Sequence, residues 1–578
     1  MWRSWRGVRV ASGVLLVLQT AACAGDGAGG SGDDDDGGPR DPDGPPALSP
    51  TRALARTIDR YLVNYGSWDA DEVAIAQQHQ LVILNPNREG VTRELVASIQ
   101  GGRGGAGATD PSQRVLVACY VSIGEDYRTV HLSDDELRAD PRFVGDGTGP
   151  RMDPRGPDAD GAPLDGLDPR GVPSNGGTGF ASYYLDDNSV HESPTHTGDG
   201  RPDRNGNFHG AFTNVGDPAW FDVLQDMTFD GDGAAGLREA LTTTYGRGLG
   251  CDGVFLDTID TMAPNSFTDP GDRNRSKYEW TAPGYPAFVE RLRAAYPDIV
   301  VVQNRGVFFF NPAHPHYAFI PRGQLDFVMF ESYRLNSAPA DNPHPFYYPD
   351  NRYNFAPRLM AEASRADGFR VLSLGYAEGP PGQMDERTLV GGSTVGLDSL
   401  LEDIRVTERE AGFRHYLTDA SVTLVNRFVT DHADRTDDAP PVWTSTYNDH
   451  DHRSGGAPPA APTPRVGVQE VEGAPRSLVV RWDVALDLHG VSYAIYVQPA
   501  PFDFAGDPAL SGATRVVAVP VPSAAYTMGV GPHAFANEAI VDGLEPGVTY
   551  HVVVRAFDHA APSHEDDNQV ELTGTPTP

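Results

Sequence analysis

Gly253-Val254-Phe255-Leu256-Asp257-Thr258-Ile259-Asp260 is the stretch on which the reading of the fold turns. Four residues with no polar side chain end abruptly in a carboxylate. A short apolar run bounded by polar residues reads as a buried strand. An acid at the C-terminal end of such a strand stands where a barrel places its chemistry. A helical pattern over 237–245 leads into the run. Outward from it the same alternation repeats. Leu81-Val82-Ile83-Leu84 precedes a helical pattern over 91–99, and residues 115–120 form the next apolar run. The helical stretch 285–296 leads into Ile299-Val300-Val301-Val302. Phe327-Val328-Met329-Phe330 and Val371-Leu372-Ser373-Leu374 continue the series, with 414–417 as its candidate close. Strands alternating with helices imply parallel βαβ units. Seven such runs predict an α/β fold, a (β/α)8 TIM-type barrel with insertions. The alternative is a doubly wound open sheet, weakened because no Gly-rich dinucleotide loop follows the first run.

The expected barrel spans 49–453. Within it, residues 134–217 are rich in Gly, Asp and Pro and carry little periodicity, so they read as a long insertion. A Gly/Ala/Pro linker covers 454–463, and from 464 to 578 the pattern turns all-β. Leu478-Val479-Val480-Arg481-Trp482 and Tyr493-Ala494-Ile495-Tyr496-Val497 alternate, and Leu544-Glu545-Pro546-Gly547 precedes Tyr550 and a last apolar strand. This end resembles a fibronectin type III domain, a β-sandwich in which Trp482 would be the core tryptophan and Tyr550 the tyrosine corner.

The N-terminus carries Arg3, Arg6 and Arg9, then an apolar run over 10–18 that ends in Gln19-Thr20-Ala21-Ala22-Cys23. That order is an export signal, too short to span a bilayer. Thr20-Ala21-Ala22-Cys23 resembles a bacterial lipobox, with Gln19 and Thr20 departing from its usual aliphatic residues. Residues 1–23 then form the signal, Cys23 is lipidated, and the Gly/Asp/Pro segment 24–48 is a disordered spacer. Ordinary cleavage, releasing a secreted protein, is the other reading. The chain is expected outside the cytoplasm, as an envelope lipoprotein touching the membrane only through its anchor, or secreted.

The sequence has 45 Lys and Arg against 80 Asp and Glu, a formal net charge of −35. Such a surface repels nucleic acid. It suits a cationic or neutral substrate, and it equally serves solubility alone. Three cysteines cannot build a disulfide framework or a thiolate zinc site. Cys119 and Cys251 beside apolar runs read as buried free thiols by default, with a single bridge between them left open.

Polar groups gather after the strands. Asp257 ends one run and Glu331 another, with Asn304 after a third and Glu125 after Tyr120. Two carboxylates at strand ends are the minimum for glycoside hydrolysis: one protonates the leaving oxygen, the other attacks or activates water. Tyr120, Tyr333, Tyr376 and Trp68 could stack on sugar rings, or could be core. Each acid could instead cap a helix or pair with arginine, as Arg334 near Glu331 suggests.

The blocks at 117–125, 251–260, 301–306 and 330–333 together resemble the endo-α-1,4-polygalactosaminidase family, glycoside hydrolase family 114. The match runs in order through most of 60–430, and the blocks around Asp257 and Glu331 are its most specific parts. The resemblance implies a (β/α)8 barrel, Asp257 and Glu331 as the catalytic pair, and an α-1,4-linked galactosamine polymer, often cationic, as substrate. Glu125, Asn304, Tyr120, Tyr333 and Tyr376 would line the sugar subsites. The expected protein is an endo-acting extracytoplasmic glycosidase, monomeric and requiring no cofactor. The rival is a non-catalytic, adhesive polysaccharide-binding surface protein. One candidate calcium loop, Asp199, Asp203 and Asn205, lies in the insertion, where oxygen-bearing residues alternate before a glycine. It lacks the terminal bidentate glutamate of an EF-hand.

Overall fold

Runs of aliphatic residues with no polar alternation are stable as strands only when both faces are covered, and eight of them form one parallel sheet. They are β1 (Tyr61–Asn64), β2 (Leu81–Leu84), β3 (Leu116–Ser122), β4 (Gly253–Asp257), β5 (Val300–Asn304), β6 (Phe327–Glu331), β7 (Arg370–Tyr376) and β8 (Arg414–Thr418). Their order in the sheet is their order in the chain. β1 and β8 lie side by side, so the sheet curls into a near-closed (β/α)8 barrel. The computed structural model describes residues 48–104, 113–145, 179–186, 201–264, 278–312, 314–336, 342–345, 347–377, 386–445, 461–518, 520 and 536–578.

Local chemistry sets where the outer helices begin. Asp69 caps Ala70–Ala76 in a capping box with Glu72, and Asp217 caps Pro218–Asp226, whose first residue is proline. Gly284–Ala295 leads from β4 to β5 and buries Tyr285, Phe288, Val289 and Leu292 against the sheet. At the bottom of the barrel Asp326, just before β6, accepts from Arg52 Nε at 2.8 Å, Arg293 Nη2 at 2.7 Å and the Val301 amide at 2.9 Å.

Cys119 in β3 and Cys251 just before β4 are joined by a disulfide, their Cα atoms 6.1 Å apart. The expectation of free thiols is therefore corrected. The register that sets Cys119 beside Val254 brings the two cysteines onto adjacent strands, a neighbourhood that sequence distance hides.

The C-terminal part is an antiparallel sandwich. Its strands are β9 (Val468–Ala474), β10 (Ser477–Trp482), β11 (Val491–Gln498), β12 (Thr514–Val517), β13 (Asn537–Asp542), β14 (Tyr550–Asp558) and β15 (Leu572–Gly574). One sheet is β9-β10-β13 and the other β12-β11-β14-β15. Trp482 is fully buried against Tyr493, and the Tyr550 hydroxyl accepts from the Glu545 amide at 3.1 Å. The sandwich is bonded to the barrel. Val442–Trp443 pairs antiparallel with Ala485–Leu486, and Arg414 of β8 donates to the Leu488 carbonyl at 2.9 Å.

Cys23 and the rest of the expected signal segment lie outside the described residues. Among the described residues no helix is long and apolar enough to cross a membrane.

Candidate active site

Side chains on a strand alternate between faces, and that parity gathers the polar residues at one place. Phe255 of β4, Val302 of β5, Met329 of β6 and Leu374 of β7 fill the barrel's interior. The residue two further along each strand faces the same way. These are Asp257, Asn304, Glu331 and Tyr376, arriving at the C-terminal mouth together. Tyr120 of β3 is paired in register with Phe255, and Ser122 with Asp257. Asp257, Asn304, Glu331, Tyr376, Tyr120 and Ser122 line one cavity of about 740 Å³.

A single amide ties the two carboxylates together. Asn304 Nδ2 donates to Asp257 Oδ1 at 2.7 Å and to Glu331 Oε2 at 2.9 Å. Those two oxygens can therefore lie no further apart than about 5.6 Å. The Tyr376 hydroxyl donates to the other oxygen of Glu331, and the Tyr120 hydroxyl to Asp257. Burial raises the Asp257 carboxyl above its ordinary range, and the neighbouring Glu331 charge raises it further. Asn304, the Thr258 amide and Tyr120 pull the other way by bonding its ionised form.

The backbone just past two of these residues is held in the left-handed region, with Thr258 at φ 64° and Arg305 at φ 55°. Non-glycine residues adopt this conformation at a cost and only where surrounding bonds fix it. Thr258 Oγ1 accepts from the Gly124 amide at 2.7 Å. Gly124 has to be glycine, since a Cβ there would lie 2.3 Å from the Thr258 carbonyl. Arg305 turns onto Asp260 at 3.0 Å.

The insertion contributes to the site. Its segment Ala211–Phe212 pairs antiparallel with Glu125–Asp126, and Trp220 Nε1 donates to the Ile123 carbonyl at 2.7 Å. Asn205 Nδ2 donates to Glu125 Oε1 at 2.7 Å inside the cavity wall. Burial pushes the Glu125 carboxyl up to about 8, against the Asn205 bond that lowers it, with the Asp257 charge adding to the rise. Glu125 is therefore biased toward its neutral form. Phe208, 66% exposed, and Tyr127, 42% exposed, stand at the mouth.

Asp257, Glu331, Tyr120, Glu125, Asn304 and Tyr376 thus share one cavity. Tyr333 does not join them. Its ring packs against Phe330, Tyr348 and Phe413 at 5.1–5.7 Å in the layer behind the sheet, so its expected place in the sugar subsites is corrected. Trp68 packs on the apolar cluster beside β1 and β2 and is absent from the cavity wall. Arg334 reaches Ser399 and Asp403 rather than Glu331, and Arg128 pairs with Asp126. Of the proposed calcium loop, Asp199 lies outside the described residues. Asp203 accepts from the Tyr278 hydroxyl at 2.7 Å, and the Asn205 oxygen accepts from the Asn207 and Phe208 amides.

Sequence reading missed Tyr65, Asp260, Arg305 and Phe208. Asp260 and Arg305 sat inside the quoted blocks and carried a usable signal, being charged residues within three positions of a strand end. Nothing local marked Phe208, which reaches the mouth only through the fold of the insertion. Among the described residues five carboxyl groups and two guanidiniums line the cavity.

No protein-family model matches the chain. No curated protein matches it. Among solved structures, the glycoside hydrolase domain of PelA from Pseudomonas aeruginosa is 14% identical, with a TM-score of 0.35 over 64% of this chain and 99% of that one. A debranching enzyme from Nostoc punctiforme is 10% identical, with a TM-score of 0.26 over 62% and 71%. A maltogenic amylase from S. marinus is 10% identical, with a TM-score of 0.25 over 55% and 50%. Scores this low decide nothing about chemistry, and the barrel rests on its own strand order.

Proposed function

We propose that the protein is a glycoside hydrolase in which Asp257 and Glu331 cleave the glycosidic bond. The observation that carries this is the one amide nitrogen bonded to both carboxylates at the mouth of the barrel. A ceiling of about 5.6 Å between one oxygen of each favours the retaining class, whose carboxyl groups stand roughly 5–5.5 Å apart, over the ~6.5–9.5 Å of inverting enzymes. In this reading Asp257, held by three donors, attacks the anomeric carbon. Glu331 gives its proton to the departing oxygen, then takes a proton from the water that releases the sugar.

The substrate in this proposal is an α-1,4-linked galactosamine-type polysaccharide cut internally. Support comes from the sequence blocks around the pair and from a cavity wall richer in carboxyl groups than in guanidiniums. The 3 + 4 strand arrangement, buried Trp482 and the Tyr550 corner support a fibronectin type III module at the C-terminus. The basic, apolar N-terminus and the Cys119–Cys251 bridge support export to an oxidising compartment, with Cys23 as the lipid anchor. The active unit is taken as a monomer needing no cofactor.

The test is the size distribution of products from partly deacetylated poly-galactosamine. Oligosaccharides appearing early support internal cleavage. Release of single sugars alone would refute the endo mode. Binding without any cleavage would transfer the protein to the adhesive, non-catalytic class.

A further inference from the structure

Away from the barrel mouth, at the seam between barrel and sandwich, three aspartates converge from three segments. Asp437 comes from the chain leaving the barrel, Asp487 from the loop between β10 and β11, and Asp558 from the end of β14. His489 and His564 join them. Asp437, Asp558 and His564 place their ligand atoms within 4.8 Å of one another, and so do Asp437, Asp487 and His489. His489 Nδ1 lies 2.7 Å from Asp437 Oδ2, and His564 Nδ1 lies 2.8 Å from Asp558 Oδ2.

The charge balance here differs from that of several buried acids elsewhere. Those are neutralised by arginine: Asp326 by Arg52 and Arg293, Glu239 by Arg247, Asp483 by Arg465, Glu408 by Arg435. The side chains of Asp437 and Asp558 are 8% and 0% exposed, and Asp487 is 6% exposed. Among the described residues no arginine or lysine forms an ion pair with any of the three. Asp487 Oδ1 accepts from the His489 amide at 2.8 Å, while its Oδ2 accepts no hydrogen bond among the described residues. The cationic groups against them are the imidazoles of His489 and His564, so three buried carboxylates face at most two positive charges, and buried carboxylates in excess of counter-charge are expensive unless a cation sits among them.

We infer that this seam is a binding site for a divalent transition ion of the zinc type, held by Asp437, Asp487, Asp558, His489 and His564. Imidazole nitrogen combined with carboxylate oxygen is the donor set of such ions, whereas calcium and magnesium take oxygen alone. Bonds of roughly 2.0–2.2 Å to zinc require ligand atoms some 3.3–3.5 Å apart. The ligand atoms of each group, none more than 4.8 Å from another, would draw to that spacing around the ion. Asp437 belongs to both groups, so the ion would pin the chain leaving the barrel to two loops of the sandwich. The site fixes how the β-module is carried on the barrel, independently of what the barrel cleaves.

The experiment uses the full chain, stripped with chelator and titrated with zinc chloride by calorimetry, alongside thermal unfolding with and without zinc. Cobalt(II) supplies a second readout through its visible absorption, which reports N/O coordination without any substitution. The expected results are near-stoichiometric uptake, a melting temperature about 2–4 °C higher in excess zinc, and a cobalt spectrum that zinc abolishes. Asp437→Asn, checked for native far-ultraviolet dichroism, should bind at least ~10-fold more weakly. No uptake, or uptake unchanged in Asp437→Asn, would overturn the inference. So would a metal-free protein that gains stability on acidification without taking up zinc, because protonated imidazoles would then be the missing counter-charge.

Discussion

Asn304→Ala is the perturbation that separates the two ways of reading the barrel mouth. The side chain's nitrogen gives both its hydrogens to carboxylates, at 2.7 Å to Asp257 and 2.9 Å to Glu331. A hydrogen bond to a charged group contributes about 1.5–3 kcal/mol. Two such bonds share one donor here, and the loss also frees both carboxylates to rotate. The transition state should therefore lose about 2–4 kcal/mol, a fall of roughly 30- to 1,000-fold in kcat at 1.36 kcal/mol per decade. KM should move by only a few-fold, since the amide faces the carboxylates. A pH signature accompanies the loss. Burial and the Glu331 charge hold the Asp257 carboxyl above its ordinary value, and Asn304 opposes them. Without the amide that carboxyl rises further, so the nucleophile is protonated over a wider acid range and the acid limb of kcat/KM moves to higher pH. The assay is reducing-end release from partly deacetylated poly-galactosamine across pH, with kcat and KM resolved. Undiminished kcat, or a loss confined to KM with an unmoved acid limb, would refute the reasoning.

Glu125→Gln should leave activity at neutral pH nearly unchanged, because the native carboxyl is already biased toward its neutral form. The native state holds a proton that the unfolded chain releases near 4.5, so stability falls as pH rises from about 4.5 to about 8. The variant should lose that slope, as read by urea melts at pH 5 and 8; an unchanged slope sinks the assignment. Asp326→Ala removes the carboxylate shared by Arg52 and Arg293 and leaves two largely buried guanidiniums without an ion-pair partner. A loss of about 3–5 kcal/mol is expected by chemical denaturation, with kcat intact at temperatures where the variant is folded. Phe208→Ala should raise KM for long chains about 5- to 10-fold without altering kcat, because a ring exposed at the mouth can only bind substrate by stacking. An equal effect on short and long substrates would contradict that role.

The barrel was legible because its strands are uninterrupted aliphatic runs, and every one of the seven predicted runs is a strand of the sheet. β1 escaped because Tyr61–Asn64 is short, flanked by Arg60 and a tyrosine, and shows no more periodicity than a loop. At the site, the residues directly at strand ends could be found by counting, since parity along a strand is fixed. Tyr333 lies two residues past the end of β6, where parity no longer holds, and the chain turns it back behind the sheet. The disulfide, Asn205 on Glu125, and the Asp437 seam depend on pairings across 132, 80 and up to 127 positions of sequence separation. No local pattern encodes such contacts.

The central claim is that Asp257 and Glu331 act as one catalytic pair. Reducing-end release from the polymer by the parent protein, Asp257→Asn and Glu331→Gln tests it most directly, each variant first shown to unfold like the parent. Both substitutions keep side-chain shape while removing the ionisable group and exchanging one accepting oxygen for a donor. Loss of at least ~10³-fold in kcat for each, with polymer binding retained, is the predicted result. Full activity in either variant would contradict the account.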